Sequence, residues 1–391
     1  MTAETDFTLF QFLREGFDPV RDLARARAEQ PVYPMPIPGG QTAWLLTRYA
    51  DVRDVLADAR RFSNDFAGVV SLGSDQADPG GLGFSDPPEH TRLRRLLTPE
   101  FTMRRLARLR PRIAAIVAAH LDAMEAAGPP ADLVRDFALP IPSLVVCELL
   151  GVPAADHAEL TRVSAGRFDL SAGPEASIQA VNDAMRLLTG LVARERQAPG
   201  DGLLGALLRE HGDEVSDREL ASLADGILTG GHDTSTSMLA LGALWLTAHP
   251  DELVAVAEKD GYAEEVVDEL LRYLTVVQVA FPRFAREDVV VGGQPIAKGE
   301  MVLCSLSAAN RDPERGDDLD RAVPGRPFSH LAFGHGIHRC VGAPLARMEL
   351  EIAFTALARR FPTFRPAIPA AEISFRQIAI VYGLDALPVT W

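Results

Sequence analysis

The stretch that carries most information about the fold is Phe333-Gly334-His335-Gly336-Ile337-His338-Arg339-Cys340-Val341-Gly342. Three glycines flank its single cysteine, and glycine lets backbone amides approach a ligand closely. Residues 344–358 then have the composition of a helix, and the first amides of a helix stabilise an anion such as a thiolate. The pattern therefore favours a thiolate ligand at Cys340.

Three interpretations of this cysteine are open. A thiolate is a soft ligand suited to iron, and a thiolate-bound haem favours O–O cleavage. The second interpretation is a buried structural cysteine, which is also the default for Cys147 and Cys304. The third is a zinc site made by His335, His338 and Cys340, which has neither a recognised spacing nor a fourth ligand. The haem interpretation is favoured over the other two.

A long helix is predicted earlier in the chain. Ser216-Asp217-Arg218-Glu219 matches a capping box, and Pro250 stops the pattern after His249. At about 1.5 Å per residue this helix would be roughly 50 Å long. It is largely apolar, so we expect it to be central.

The middle of this helix is Gly230-Gly231-His232-Asp233-Thr234. Two adjacent glycines cost about 2 kcal/mol relative to alanine, so they need a reason. They would give the backbone room for a ligand, and Asp and Thr would bring polar groups to it. Alternatively, they would allow a tight helix crossing in which Thr234 bonds back to a carbonyl. The pattern leaves both explanations open.

Together with Glu269-Leu270-Leu271-Arg272, these segments resemble the cytochrome P-450 superfamily, specifically the soluble bacterial haem-thiolate monooxygenases. Residues 333–342 match the family's F-G-x-G-x-H-x-C-x-G loop at every defined position. Residues 269–272 match E-x-x-R, and residues 230–234 match [AG]-G-x-[DE]-T. The ten-residue loop is highly specific, and the order and separation of the three motifs extend the likeness over nearly the whole chain.

The resemblance implies a mainly α protein with small β-sheets, of the α+β class. It implies a single cytochrome P-450-like fold with a long central helix, and a single domain over residues 1–391. Composition agrees, because most of the chain is rich in Ala, Leu, Arg and Glu. Strand-like runs are few, at residues 43–47, 288–291, 295–296, 301–305 and 373–389, while residues 31–40 resemble a Pro/Gly-rich break.

The resemblance also implies how haem b is held. Cys340 would be the axial ligand of the iron, and Phe333 would pack against the loop and shield the sulfur. Buried carboxylates need partners, and the haem propionates would find them in four side chains. These are His338, His90, Arg94 and Arg283.

Two further groups have roles implied by the resemblance. Asp233 would relay protons and Thr234 would hold the oxygen complex by a hydrogen bond, so these two are the catalytic residues. Glu269 and Arg272 would form a buried structural clamp with a third arginine. Arg321 is the candidate for that third member.

The implied reaction inserts one oxygen atom from O2 into a largely apolar small molecule, by hydroxylation or epoxidation. Secondary metabolism, such as polyketide or macrolide tailoring in antibiotic biosynthesis, is the expected setting. The pocket is expected near residues 66–72 and 168–172 and at Val276, Val277, Val279 and Ile380. The alternatives are a peroxide-driven or non-oxygenating haem-thiolate enzyme and, from another class, a haem-binding sensor.

Composition limits the partners and the location. The net charge of -15 argues against nucleic-acid binding. No long uncharged apolar run or secretory signal is present, so we expect no membrane contact and a cytoplasmic location. No flavin or nicotinamide module precedes Trp391, so electrons should come from a ferredoxin and a ferredoxin reductase. The arginine-rich stretch 92–112 would either face such an acidic partner or form a solvated helix face.

Overall fold

The computed structural model describes residues 9–37, 41–65, 82–164 and 174–391, which are mostly helical. The α-helices are α1 (Arg21–Glu29), α2 (Tyr49–Ala57), α3 (Glu89–Leu97), α4 (Met103–Leu106), α5 (Arg110–Ala127), α6 (Pro140–Leu150), α7 (His157–Ser164), α8 (Pro174–Gln197), α9 (Leu203–His211), α10 (Asp217–Thr247), α11 (Pro250–Glu258), α12 (Tyr262–Leu274), α13 (Leu306–Ala309) and α14 (Ala343–Arg360). The strands are β1 (Arg14–Glu15), β2 (Asp18–Pro19), β3 (Val32–Ile37), β4 (Gln41–Leu46), β5 (Phe62–Ser63), β6 (Ala131–Asp132), β7 (Arg283–Ala285), β8 (Val289–Val291), β9 (Gln294–Ile296), β10 (Met301–Cys304), β11 (Arg365–Pro366) and β12 (Pro388–Thr390). The mainly α class with small sheets is confirmed.

The backbone contacts divide the chain into two compact units. Unit 1 comprises Met1–Arg92, Leu271–Ala322 and Pro327–Cys340. Unit 2 comprises Leu93–Leu270, Val323–Arg326 and Val341–Trp391. The single domain over residues 1–391 stays a prediction.

Unit 1 is built around a five-stranded sheet. Its strand order is β3-β4-β10-β7-β5, in which β4 and β10 are parallel and the other neighbours are antiparallel. Apolar side chains of α2, α13 and the sheet are buried together, which removes their surface from water. This core includes Leu46, Val52, Leu56, Val302 and Leu306.

The edge strand β3 is a correction to the sequence analysis, which placed a break over residues 31–40. Val32–Ile37 pairs with β4, and Pro34 lies opposite Trp44 in that ladder. Proline cannot donate a backbone hydrogen bond, so it is tolerated only where a strand has an unpaired side. Pro34 and Pro36 fit the edge of the sheet for this reason.

The long helix α10 dominates unit 2. Its 31 residues confirm the predicted helix, and Ser216 forms the predicted capping box with Glu219. The backbone N–H of Ser216 donates to the Glu219 carboxylate at 2.8 Å, and the N–H of Glu219 donates to the Ser216 hydroxyl at 3.3 Å. Helices α6, α8 and α14 pack against α10, so most of its side chains are buried.

The chain end forms less sheet than predicted over residues 373–389. Strand β12 pairs with β11 and β6, and a single bridge joins Phe375 to Leu384. The shorter predicted runs at residues 43–47, 288–291, 295–296 and 301–305 coincide with β4, β8, β9 and β10 to within two residues. None of the helices in the described ranges has both the length and the apolar character needed to cross a membrane.

Candidate functional site

The cysteine loop of unit 1 is folded back on itself. The N–H of Cys340 donates to the Phe333 carbonyl at 2.9 Å, and the N–H of Arg339 donates to the Gly336 carbonyl at 3.1 Å. Gly336 has a φ of 71°, which favours glycine, and a Cβ there would clash with the carbonyl oxygen of Leu56. The loop therefore needs glycine at this position to bring its backbone against α2.

Exposure separates Cys340 from the other two cysteines. Cys340 is exposed, whereas Cys147 and Cys304 are buried. Burial raises the pKa of both buried thiols to about 12. Cys147 and Cys304 are therefore structural thiols, and Cys340 is the cysteine that can present its sulfur to a ligand.

The loop does not arrange His335, His338 and Cys340 as zinc ligands. Within the ranges that the structure describes, no group of three His, Cys, Asp or Glu side chains is arranged to hold a metal ion. His338 instead turns its Nδ1 toward the carbonyl oxygen of Leu82, at 3.1 Å. The loop does not gather its histidines and its cysteine around one point.

Three of the four predicted propionate ligands lie together in unit 1. The rings of His90 and His338 have centroids 4.2 Å apart. Arg283 is buried, and its Nη1 donates to the Phe281 carbonyl at 2.7 Å. Burial, together with the charges of Arg283 and His90, lowers the pKa of His338 to about 3. Burial also lowers the pKa of Arg283. The cluster is thus a buried region of positive potential.

This cluster fits the carboxylates of the haem that the sequence implies. A carbonyl oxygen can only accept, so Nδ1 of His338 carries the proton shared with Leu82. The buried Nε2 of His338 then has no hydrogen-bond partner within the described part of the chain. Arg283 makes no direct ion pair within the same part of the chain; the charge of Asp86 acts on it without an ion-pair contact, so this buried cation can accept a further anion. A carboxylate group would satisfy both.

The remaining predicted haem contacts are less fully defined. Arg94 is half-buried on α3, one helical turn beyond His90, and belongs to the part of that helix assigned to unit 2. Phe333 accepts the Cys340 N–H through its carbonyl, and its ring lies 5.8 Å from the ring of His330. Shielding of the sulfur by Phe333 stays a prediction.

The centre of α10 holds a buried polar pair in unit 2. His232 is fully buried, and its Nδ1 lies 2.8 Å from Oδ1 of the buried Asp233. Sequence reasoning assigned no role to His232, because its motif position accepts any residue. The structure shows that it fixes the carboxylate of Asp233.

The structure bears on the two explanations for Gly230, Gly231 and Thr234, which are a close helix crossing and room for a ligand. A Cβ at Gly231 would lie 2.7 Å from Cγ2 of Val146 on α6, so Gly231 permits a close helix crossing. Gly230 is exposed and a Cβ there meets nothing within 4 Å. The Thr234 hydroxyl donates to the Gly230 carbonyl at 2.6 Å. Gly230 and Thr234 therefore lie on an incompletely covered face of the helix.

The buried clamp differs from the prediction in its third arginine. In unit 2, Oε1 of Glu269 accepts the Val323 N–H at 2.8 Å and lies 3.4 Å from Nε of Arg326. Arg321 has a side chain that is 75% exposed and pairs with Asp318. The arginine beside Glu269 is Arg326, so the choice of Arg321 was wrong. Arg326 lies in a segment, residues 321–330, that has no helix or strand. The regular spacing of a helix therefore could not identify it as the partner of Glu269.

Arg272 belongs to unit 1. Its side chain is almost fully buried, and its guanidinium donates to three backbone carbonyls at 2.8–3.0 Å. The acceptors are Asn310, Leu319 and Arg321. Arg321 thus contributes to this part of the site through its main chain.

The residues predicted to line a pocket are only partly placed. Val276 and Val279 are buried in unit 1, and Val277 packs against the apolar core of that unit. Ile380, in unit 2, is half-buried. The predicted ranges 66–72 and 168–172 lie outside the described residues.

Most arginines of the stretch 92–112 have acidic partners within their own unit. Such pairs neutralise the positive patch that a docking surface would need. This favours the solvated helix face over an acidic-partner surface. The pairs are Arg92–Glu89, Arg95–Glu214, Arg105–Glu210, Arg110–Glu351 and Arg112–Glu148.

Comparison with known proteins gives a consistent result. A family model described as cytochrome P450 matches residues 191–367. Cytochrome P450 165B3 of Amycolatopsis orientalis is 41% identical over 397 residues, covering 100% of both chains. The mycinamicin IV hydroxylase/epoxidase of Micromonospora griseorubida is 41% identical over 374 residues, 93% of each chain. The crystal structure of OxyC, a P450 implicated in oxidative C–C coupling during vancomycin biosynthesis, superposes with a TM-score of 0.89 at 41% identity, covering 98% of this chain and 97% of OxyC.

Proposed function

Given that this chain belongs to the cytochrome P450 family and is a monooxygenase that binds haem b, we propose that it hydroxylates or epoxidises a largely apolar small molecule. The mycinamicin relative, named as a hydroxylase and epoxidase, supports this reaction and a role in secondary metabolism such as macrolide tailoring. The buried valines Val276 and Val279 support an apolar substrate. The chemistry is then insertion of one oxygen atom from O2.

The observation that carries the proposal is the pairing of an exposed Cys340 with a buried carboxylate-binding cluster in the same unit. Cys340 would hold the iron through its thiolate. His338, His90 and Arg283, with Arg94, would bind the haem carboxylates. A haem held by thiolate supplies activation of O2, because the sulfur pushes electron density toward O–O cleavage.

Side chains of α10 would deliver the protons. Asp233 would carry protons, and His232 keeps its carboxylate in one orientation through the 2.8 Å hydrogen bond. The hydroxyl of Thr234 would orient the oxygen reactant by a hydrogen bond, in place of the bond that it now makes to Gly230. This assignment follows the motif and the incompletely covered face on which Thr234 lies.

Electrons would come from a ferredoxin and its reductase, as is usual for bacterial P450s. The intramolecular ion pairs along residues 92–112 make that stretch a weak candidate for the docking surface. Arg339 is a second candidate, because it is exposed and lies next to Cys340. Exchange of Arg339 for glutamine should therefore slow electron transfer from ferredoxin while leaving chemical reduction by dithionite unchanged.

A second candidate reaction is oxidative coupling without oxygen insertion. The likeness to OxyC, which is implicated in C–C coupling, supports it. In that case the substrate would be aromatic and two hydrogens would be removed for each bond formed. Peroxide-driven turnover and haem sensing remain as the outcomes to be separated by experiment.

The first test is the absorption spectrum of the dithionite-reduced protein with carbon monoxide. We expect a strongly red-shifted Soret band in the wild type and in Cys147→Ser, a matched control at a buried thiol. The band should be lost in Cys340→Ser. If Cys340→Ser kept the band, Cys340 would not be the iron ligand.

The second test follows 18O2 into product, with ferredoxin, reductase and NADPH, over a panel of macrolactones and aromatic peptides. One labelled oxygen per product supports hydroxylation or epoxidation. An unlabelled product that has lost two hydrogens supports coupling instead. Turnover that needs peroxide but neither O2 nor reductant contradicts the proposal, as does binding without any product.

A further inference from the structure

Asp86 is a nearly buried carboxylate that the proposed function does not use. It precedes Pro87-Pro88 and α3, and its side chain is 11% exposed. Oδ1 accepts the N–H of Asn64 at 2.9 Å. Oδ2 accepts the hydroxyl of Ser63 and the guanidinium of Arg286. All these residues belong to unit 1.

These bonds connect segments that are distant in the sequence. Ser63 ends β5, which pairs with β7, and β7 begins at Arg283. The carbonyl of Asp86 accepts the N–H of His90 at 2.9 Å and so fixes the first turn of α3. Asp86 therefore joins the strand pair that carries Arg283 to the helix turn that carries His90.

A second path leads from the same residues to His338. The side-chain amide of Asn64 donates to the Gly83 carbonyl at 2.8 Å. The adjacent Leu82 carbonyl accepts from Nδ1 of His338 at 3.1 Å. Because Asp86 binds the backbone of Asn64, it indirectly holds the acceptor that sets the His338 tautomer.

Charge points to the same residue. The negative charge of Asp86 favours the protonated form of the buried Arg283, whereas burial opposes it. Asp86 is thus the resident anion beside a cluster built from groups that bind anions.

We propose that Asp86 is a positioning residue for haem. It holds His90, Arg283 and His338 in the arrangement that receives the haem carboxylates, and its charge tunes the potential of the iron. This rests on the proposed roles of these three residues in holding haem. Asp86 itself makes no contact with the carboxylates in this proposal.

The test compares the haem-loaded wild type with Asp86→Asn, Ser63→Ala and the control Asp58→Asn. Asp58 is a matched carboxylate of unit 1, which accepts the N–H groups of Arg60 and Arg61 and is not among the charges that act on Arg283. Two quantities are measured. They are the rate of haem transfer to excess apomyoglobin and the ferric/ferrous midpoint potential.

Asp86→Asn should release haem about tenfold faster, since hydrogen bonds to a charged group are weakened. Its midpoint potential should become more positive, because a negative charge near the iron is removed. Ser63→Ala keeps that charge, so it should release haem a few-fold faster at an unchanged potential. Asp58→Asn should match the wild type in both.

The proposal is overturned if Asp86→Asn matches Asp58→Asn in both quantities. Faster release at an unchanged potential would also overturn it, because that pattern fits a purely structural residue. If Asp86→Asn does not fold, the test rests on Ser63→Ala. The proposal is then overturned if Ser63→Ala releases haem at the same rate as the wild type. The carbon monoxide spectrum of each variant reports the Cys340 assignment separately, so the two proposals can fail independently.

Discussion

Glu349 should make the stability of the protein fall as the pH rises. It lies on α14 and is 3% exposed, and its Oε1 has no hydrogen-bond partner within the described residues. Burial raises the pKa of this carboxyl from 4.5 to about 8. The folded protein therefore retains a proton on Glu349 at pH values where the unfolded chain has already lost it.

The sign and size follow from this difference in pKa. Between pH 4.5 and 8 the native state binds more protons than the unfolded state, so the free energy of unfolding decreases as pH increases. Each pKa unit is worth 1.36 kcal/mol. The carboxyl therefore destabilises the fold by about 3 kcal/mol at pH 7 and by about 5 kcal/mol above pH 8, but by less than about 1 kcal/mol at pH 5.

Glu349→Gln removes this titration, and urea unfolding followed by circular dichroism at pH 5, 7 and 8.5 measures the result. The variant should gain stability over the wild type progressively with pH. The control is Glu351→Gln on the same helix, which loses only a surface ion pair with Arg110. It should change stability by about 1 kcal/mol or less at every pH. A stability difference between Glu349→Gln and wild type that does not vary with pH would refute the reasoning.

Three further predictions concern single contacts. Arg326→Gln removes an ion pair from the buried carboxylate of Glu269 and should lower the free energy of unfolding by about 1–3 kcal/mol, whereas Arg321→Gln, at an exposed site, should change it by about 0.5 kcal/mol or less. Urea titrations of the two variants check this, and equal losses would count against Arg326. Gly230→Ala should stabilise by about 1 kcal/mol because its Cβ meets open space, and Gly231→Ala should be about 1–3 kcal/mol less stable than Gly230→Ala because its Cβ meets Val146; thermal unfolding ranks the pair, and the reverse order would contradict the close helix crossing. Gly336→Ala should purify with much less haem per chain than wild type, as measured by the pyridine haemochrome assay, because its Cβ clashes with the Leu56 carbonyl; full haem content would show that the loop tolerates the side chain.

Local signals in the sequence predicted the elements that depend on neighbouring residues. The capping box at Ser216 and the proline at 250 define both ends of α10, because caps and prolines act on the nearest turn. The glycines around Cys340 predicted a tight loop for the same reason. The likeness to a family then supplied the roles of His90, Arg283 and His338, which no local pattern could assign.

Features that depend on distant parts of the chain were missed. Strand β3 was interpreted as a break because it contains prolines, which interrupt most strands. Prolines are tolerated at a sheet edge, but the position of a strand within a sheet depends on strands that are distant in the sequence. Arg326 was missed because it reaches Glu269 from an irregular segment. The acidic partners of the arginines in residues 92–112 mostly come from distant segments of the chain, so this run of arginines overstated the positive surface.

The parallel pairing of β4 with β10 has a consequence for how the protein is made. Ala43 pairs with Met301, about 260 residues later in the chain. At about 5–20 residues per second, a ribosome needs roughly 15–50 seconds to deliver the second strand after the first. Until then the side of β4 that pairs with β10 has no partner strand, and an unpaired strand edge can recruit other chains. The continuous stretch Leu93–Leu270 emerges in the meantime and can begin to fold first. Nascent chains halted before residue 301 should therefore depend on chaperones, and chains released after it should not.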